Sequence, residues 1–280
     1  MQTLRDIGAL RSAVRSFKVT GTVALVPTMG ALHVGHMALV AEARRRADHV
    51  IASIFVNPTQ FGPSEDFARY PRREEEDAVL LEMHGCELLW APDVEGMYPA
   101  GFATSICVAG PSEGLEGAAR PGHFDGVATV VVKLFDQVQP DFALFGEKDY
   151  QQLAVIRRMV RDLDLPVEIV AIPTQRDADG LALSSRNAYL SDQERVSARA
   201  LPRVLGETAQ AIVEGGAIRS ALDAARARLE SAGFGPVDYV ALCDAETLAP
   251  LIHLNRDARL LAAAWIGKTR LIDNIAVHPT

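Results

Sequence analysis

The spacing of apolar positions changes repeatedly along the chain, and each change predicts an element. Leu4, Ile7, Leu10, Val14 and Phe17 recur at helical spacing, with Thr3 as the cap. The unbroken apolar run at 23–26 predicts a buried strand, and a helix follows at 37–47 with Leu39, Val40 and Ala43 inward. A strand is predicted at 50–56, ended by Asn57-Pro58, then a polar loop at 62–71, a helix at 73–84 and a short strand at 88–90. Next come a strand at 104–109, an apolar helix at 127–138, a strand at 142–145 ending at Gly146, a helix at 150–162 and a strand at 167–172. This alternation predicts an α/β fold with a doubly wound, mostly parallel sheet.

After Pro173 the pattern changes. Asp177-Ala178-Asp179-Gly180 reads as a turn, and Ser191 with Glu194 forms a capping box that opens a long helix reaching about Gly215. A second helix at 218–232 and strands at 237–242, 260–266 and 271–275 predict a smaller α+β domain. The boundary is placed near Gln175, giving domains of residues 1–174 and 175–280.

The 280 residues carry 28 Lys and Arg against 36 Asp and Glu, a net charge of −8. That acidic balance argues against nucleic acid or an anionic membrane as the main partner, while leaving room for a local basic pocket. Residues 1–17 are charged throughout and do not resemble a signal peptide. The longest apolar run, at 260–266, is far short of the roughly 20 residues a membrane span needs. Cys86, Cys107 and Cys243 are widely spaced and odd in number, which predicts three buried thiols in a reducing cytoplasm.

Ligands of doubly wound sheets bind beyond the carboxyl ends of the strands, and the informative segments lie at such ends. Pro27-Thr28-Met29-Gly30-Ala31-Leu32-His33-Val34-Gly35-His36 reads as strand, tight turn and helix start. A helix N-terminus offers free N–H groups and a positive dipole end to a phosphate. A neutral imidazole of His33 or His36 donates to a phosphate oxygen, and a protonated one also offsets its charge. Gly146-Glu147-Lys148-Asp149 leaves a strand and enters a helix, so Lys148 can place a point charge in the crevice. Leu183-Ser184-Ser185-Arg186-Asn187 combines hydroxyl donors with a permanent cation, a loop that can close over a triphosphate. In Asn57-Pro58-Thr59-Gln60-Phe61, Gln60 offers donor and acceptor to a small hydroxy acid, and Gln151-Gln152 can supply a second amide. Taken singly, the last three segments read first as ordinary turns and surface loops, and only the place of Lys148 at a strand's carboxyl end sets its functional reading level with the ordinary one. Arg44-Arg45-Arg46 reads as a solvated helix end and Glu74-Glu75-Glu76-Asp77 as an acidic first turn, with Asp77 open to a cation or an amine.

Together these segments resemble the pantoate–β-alanine ligase family of the nucleotidyltransferase superfamily. The resemblance also takes in Ser53-Ile54-Phe55-Val56, Arg69-Tyr70-Pro71-Arg72, Arg120-Pro121-Gly122-His123-Phe124, Phe145, Tyr150 and Gly180-Leu181-Ala182, and so spans nearly the whole chain. Its specificity lies in the order and number of the segments. The resemblance implies a Rossmann-type ATP domain, a smaller C-terminal lid domain, ATP as substrate, Mg²⁺, a homodimer and a cytoplasmic enzyme. It implies that D-pantoate is adenylated by ATP and that β-alanine then displaces AMP to give pantothenate. By position it implies His33, His36, Lys148 and Arg186 as catalytic groups. Met29, Gly30, Gly146, Asp149, Leu183, Ser184 and Ser185 join them around ATP, and Gln60, Gln152 and Met29 hold pantoate. No metal ligand is assigned, Mg²⁺ being carried mainly by ATP phosphates. Gln175 stands where some members have a Val against the adenine. Two other readings remain: an adenylyltransferase, which would share His33 and His36 but has no need for two amides and retains the adenylyl group on its product, and a catalytically silent nucleotide-binding module.

Overall fold

A computed structural model describes residues 1–62 and 67–279. In chain order the first part holds β1 (Gln2–Leu4), α1 (Ile7–Thr20), β2 (Val23–Thr28), α2 (Val34–Arg46), β3 (His49–Ile54), α3 (Glu74–Met83) and β4 (Leu88–Trp90). It continues with α4 (Val94–Met97), α5 (Leu115–Ala119), α6 (His123–Val138), β5 (Phe142–Gly146), α7 (Tyr150–Asp162) and β6 (Glu168–Ile172). The six strands form one parallel sheet in the order β1-β4-β3-β2-β5-β6. The order reverses at β2, so the crevice opens past the ends of β2 and β5. Apolar residues cover both faces. Leu25, Ile51 and Trp90 pack towards α1 and α6, while Val26, Ala52 and Leu89 pack towards α2. Continuous burial is why these strands read as unbroken apolar runs.

The second part holds α8 (Asp192–Ala198), α9 (Ala200–Val213), α10 (Ile218–Ser231), β7 (Val237–Asp244), β8 (Ala258–Ile266) and β9 (Thr269–Val277). Its strands make an antiparallel sheet in the order β7-β8-β9. Leu201, Val204, Leu205, Leu229 and Leu260 centre a separate hydrophobic cluster there. Among the described residues no helix is long and apolar enough to cross a membrane.

Four expectations are corrected. Asp6, not Thr3, caps α1, its carboxylate accepting from the Ala9 N–H at 2.8 Å; Thr3 belongs to β1, which pairs with β4. Residues 104–109 form no strand: the Ile106 N–H donates to Thr129 on α6 at 2.9 Å, and Ile106 and Val108 pack on the core from a loop. Cys107 in that loop is exposed, while Cys86 and Cys243 are buried; all three thiols are free. The helix opened by the Ser191–Glu194 box stops at Ala198 and restarts at Ala200. Pro202 lacks the N–H that would bond to the Ala198 carbonyl and its ring crowds that carbonyl, so the break falls there. Residues 63–66 of the predicted polar loop lie outside the described residues.

Candidate active site

The turn after β2 is built by side chains remote in sequence. Gly30 has φ +82° and Ala31 φ +51°, so the chain reverses through left-handed backbone that glycine adopts without strain. The two N–H groups beyond the reversal, of Ala31 and Leu32, each donate to the Asp77 carboxylate at 2.8 Å. Asp77 is buried at the start of α3. Burial pushes its carboxyl above the ordinary range, while the two N–H groups pull it back. Both oxygens of Asp77 thus hold the turn. Among the described residues no group of three or more His, Cys, Asp or Glu side chains could hold a metal ion.

Helix α2 starts at Val34, three residues earlier than the periodicity places it, and the two histidines cap it reciprocally. His33 Nδ1 accepts from the Gly35 N–H at 3.1 Å, and His36 Nδ1 accepts from the His33 N–H at 3.2 Å. Both Nδ1 atoms are acceptors, so each neutral ring carries its proton on Nε2 and can donate with it. A Cβ on Gly35 would lie 2.8 Å from His33 Cε1, so the absence of a side chain there is what lets the His33 ring fold over the helix start. Burial lowers the pKa of both rings, helped by Lys148; for His36, with His33 also beside it, the value falls to about 3. The protonated form is thus disfavoured for both rings in the free protein near neutral pH.

This carries a prediction. A His36 pKa of about 3 against the unfolded value of about 6.5 means the folded protein binds fewer protons between those limits. The contribution to stability is therefore complete above about pH 6.5 and declines as pH falls towards 3. The His36 ring signals in a nuclear magnetic resonance titration should stay constant from pH 8 to about 5. An inflection near 6.5 would show a solvated ring instead.

One part of the crevice is a cavity of about 240 Å³. The β2 end and α2 contribute Met29, His33 and His36, and Gln60 comes from the turn after β3. The β5 end contributes Gly146, Lys148 and Asp149, and α7 contributes Gln152. Leu183, Ser184, Ser185 and Arg186 close it from the second part of the chain, with Gln175 at its edge. Of the residues singled out for the site, Gly30, which makes the turn behind it, Asp77 and Gln151 do not line this cavity, and the others do. A second cavity of about 680 Å³ shares Lys148, Asp149, Gln152, Ser184 and Arg186 and extends between the two parts of the chain towards β7 and β9.

Gln60 is buried. Its Oε1 accepts from Asn57 Nδ2 at 3.1 Å and its Nε2 donates to Met29 Sδ at 2.9 Å. Asn57 Nδ2 also donates to the Gly126 carbonyl at 3.1 Å, fixing the turn to α6. Of the two candidate second amides only Gln152 faces the cavity. Gln151 is committed to the 111–116 loop, with Oε1 accepting from Glu116 N at 2.9 Å and Nε2 donating to Pro111 O at 3.0 Å.

Lys148 Nζ lies 3.6 Å from Asp149 Oδ1. Desolvation in the cleft alone would raise the Asp149 carboxyl, but Lys148, Arg186, His123 and Arg120 together hold it below its ordinary range. The crevice is thus locally cationic in an acidic protein. Ser184 accepts from the Arg186 N–H at 3.3 Å, and Ser185 Oγ donates to the Ala31 carbonyl at 3.3 Å, so the loop touches the histidine turn directly.

Two further groups had no role assigned in the sequence. Arg120 Nη1 donates to His123 Nε2 at 3.1 Å, which leaves the Nδ1 proton for the Gln60 carbonyl at 2.8 Å. Their place just ahead of an apolar helix, within a segment of the resemblance, was the available signal. Asn274 in β9 contacts the Lys148 backbone, and nothing in its strand-like surroundings distinguishes it.

The sequence model of the family described as pantoate-beta-alanine ligase matches residues 2–276. A pantothenate synthetase of Rhizorhabdus wittichii is 66% identical over 280 residues, covering 100% of this chain and 99% of that protein. A pantothenate synthetase of Sphingopyxis alaskensis is 59% identical over 278 residues, covering 99% and 100%. The crystal structure of pantothenate synthetase from Thermus thermophilus superposes with a TM-score of 0.94 at 52% identity, covering 100% of both chains. A pantoate-beta-alanine ligase from Francisella tularensis, crystallised with beta-gamma ATP and beta-alanine, superposes with a TM-score of 0.82 at 35% identity, covering 98% of this chain and 97% of that one. On sequence and fold over its whole length, this chain belongs to the pantoate–β-alanine ligase family.

Proposed function

We propose that this chain condenses D-pantoate with β-alanine, using ATP, to give pantothenate, AMP and pyrophosphate through a pantoyl adenylate, a step of pantothenate and coenzyme A biosynthesis. The observation that carries this reading is the cavity in which two neutral histidine donors, two cations and two amides converge. In the first step a pantoate carboxylate oxygen attacks the α-phosphorus, and the bond to the bridging oxygen breaks with pyrophosphate leaving. Negative charge grows on the α-phosphate and the leaving group. Fixed donors and cations in a desolvated cleft answer that charge without reorganising. His33 and His36 donate from Nε2, Lys148 supplies a point charge, and Ser184, Ser185 and Arg186 hold phosphate oxygens. Met29, Gly30, Gly146, Asp149 and Leu183 complete the ATP site, and Gln60 and Gln152 orient pantoate. In the second step the β-alanine amine attacks the acyl carbon and AMP leaves, while exclusion of water protects the mixed anhydride.

In this reading residues 1–174 bind ATP and pantoate, and residues 175–280 form the lid that brings Ser184–Arg186 over the phosphates. Among the described residues no group of side chains forms a metal site of its own. Mg²⁺ would arrive on the oxygens of ATP. The reading also includes a homodimer in the cytoplasm, with neither nucleic acid nor membrane as partner.

The test is ATP–pyrophosphate exchange with D-pantoate and without β-alanine, followed by addition of β-alanine. The expected result is pantoate-dependent exchange, then AMP and pantothenate in equal amounts. No exchange in either the presence or the absence of β-alanine, with a folded protein that binds ATP, would overturn the reading. An adenylylated product retained in place of free AMP would favour the adenylyltransferase.

A further inference from the structure

Two neighbouring residues of β9, Asp273 and Asn274, join both cationic elements of the cavity. Asn274 is 3% exposed. Its Nδ2 donates to the carbonyls of Lys148 at 2.8 Å and Glu147 at 3.0 Å, and its Oδ1 accepts from Arg259 Nε at 2.6 Å. Each end of the amide is therefore used. Arg259 continues to the Glu147 carboxylate at 3.1 Å and lies 4.2 Å over the Tyr150 ring. These contacts grip the backbone just before α7, where Lys148 departs. Asp273, 2% exposed, accepts both arms of Arg176 at 2.7 and 2.8 Å. The Asn274 N–H donates to the same carboxylate at 2.7 Å.

Arg176 begins the segment that carries the serine–arginine loop. It pairs with Ala182 across a β-bridge, and its guanidinium donates to the Gly180 carbonyl at 3.1 Å. The Leu183 N–H donates to the Gln175 carbonyl at 2.9 Å, immediately before Ser184. One polar chain, partly buried at Arg176 and buried at Asp273 and Asn274, thus runs from the Ser184–Arg186 loop to the carbonyl of Lys148.

We infer that Asn274 is a positioning residue, which sets Lys148 in register with the Ser184–Arg186 loop from the other side of the domain boundary. The inference rests on the reading of Lys148 and Arg186 as phosphate-binding groups. A lysine ammonium is a point charge on a four-carbon stem, so its effect depends on where its backbone is held. Misplacement of a catalytic group by about 1 Å can cost on the order of 10²-fold in rate. Any interdomain contact could add stability. Only one acting through Lys148 should lose its kinetic effect when the ammonium is gone.

The test is a double-mutant cycle in the full-length protein, read as kcat of pantoate-dependent ATP–pyrophosphate exchange, with Tm measured for each variant. Asn274→Asp keeps the shape and the acceptor but sets an oxygen against the two carbonyls. It should lower kcat by about 10-fold or more with a smaller change in KM for ATP. In a Lys148→Ala background the same substitution should change kcat by less than about threefold, because coupled residues are not additive. Should Asn274→Asp fail to fold, Asn274→Ala takes its place in the cycle. A folded variant with wild-type kcat, or an equal loss in both backgrounds, would overturn the inference and leave the proposed reaction standing. Full kcat in Lys148→Ala alone would remove the role of Lys148 and the inference with it.

Discussion

Lys148→Ala is expected to lower kcat of pantoate-dependent exchange by about 10²-fold or more, the loss seen when a preorganised group facing transition-state charge is removed. His36→Ala and Arg186→Ala are expected to do the same. The three act from different directions: His36 from the first turn of α2, Lys148 from the end of β5, and Arg186 from the loop that follows β6. Because all three line one cavity, their effects should fall short of additive, as for groups acting on one developing charge. Single-turnover formation of the adenylate separates the chemical step from product release. A folded Lys148→Ala protein with unchanged kcat in that measurement would withdraw the assigned role. His36→Ala has a second consequence. It removes the acceptor of the His33 N–H, so part of its effect belongs to the shape of the turn. His36→Asn keeps a polar side chain there and separates the two contributions.

Asp77→Ala is expected to be the most destabilising change near the site that touches no substrate. It leaves the N–H groups of Ala31 and Leu32 without their acceptor in a part-buried turn. Each unsatisfied buried donor costs about 1–3 kcal/mol, so urea unfolding should show a loss of about 2–6 kcal/mol. ATP affinity should fall as well, because the turn that presents Met29 and His33 loses its staple. Asp77→Asn keeps one acceptor and turns an N–H against the other backbone donor, so its loss should be intermediate. A wild-type midpoint for Asp77→Ala would mean that water replaces the carboxylate at little cost. The carboxyl would then be free for some other role.

The two parts of the chain meet through polar contacts that only the fold brings together. Arg270 reaches the Glu116 carboxylate with both arms at 2.6 and 2.7 Å, and the Tyr239 hydroxyl donates to the same carboxylate at 2.7 Å. Burial raises the cost of the Glu116 charge, yet Arg270 holds its carboxyl below the ordinary range. Residues 123 and 154 positions apart meet there.

Much of the architecture was legible in the sequence. The apolar runs of β2, β3 and β5 and the alternation of strand and helix determined a parallel, doubly wound sheet, because strands buried on both faces must be apolar throughout. The ordered segments from Pro27 to Asn187 determined the family. Short-range pattern failed where long-range contact decides. Gln2–Leu4 is a strand only because β4 offers it an edge, and in the loop at 104–109 the Ile106 N–H goes to Thr129 of α6 rather than to a neighbouring strand. The split between α8 and α9 was a local signal, carried by Pro202 and its missing donor.

Within the site, the sequence by itself determined which residue types stand at the ends of β2, β3 and β5. It did not determine their protonation or their exact partners. The tertiary structure decided that His33 and His36 are neutral Nε2 donors, because burial and a neighbouring ammonium disfavour a second proton. It decided that Asp77 staples a turn, since a carboxylate beside two unpaired N–H groups satisfies them before any distant cation. It decided that Gln152 rather than Gln151 faces the cavity, because adjacent residues of one helix point in different directions. It also tied the Lys148 carbonyl to Asn274, 126 residues away. A hydrogen bond over that separation leaves no periodicity to read, and exists only once two independently buried sheets are in contact.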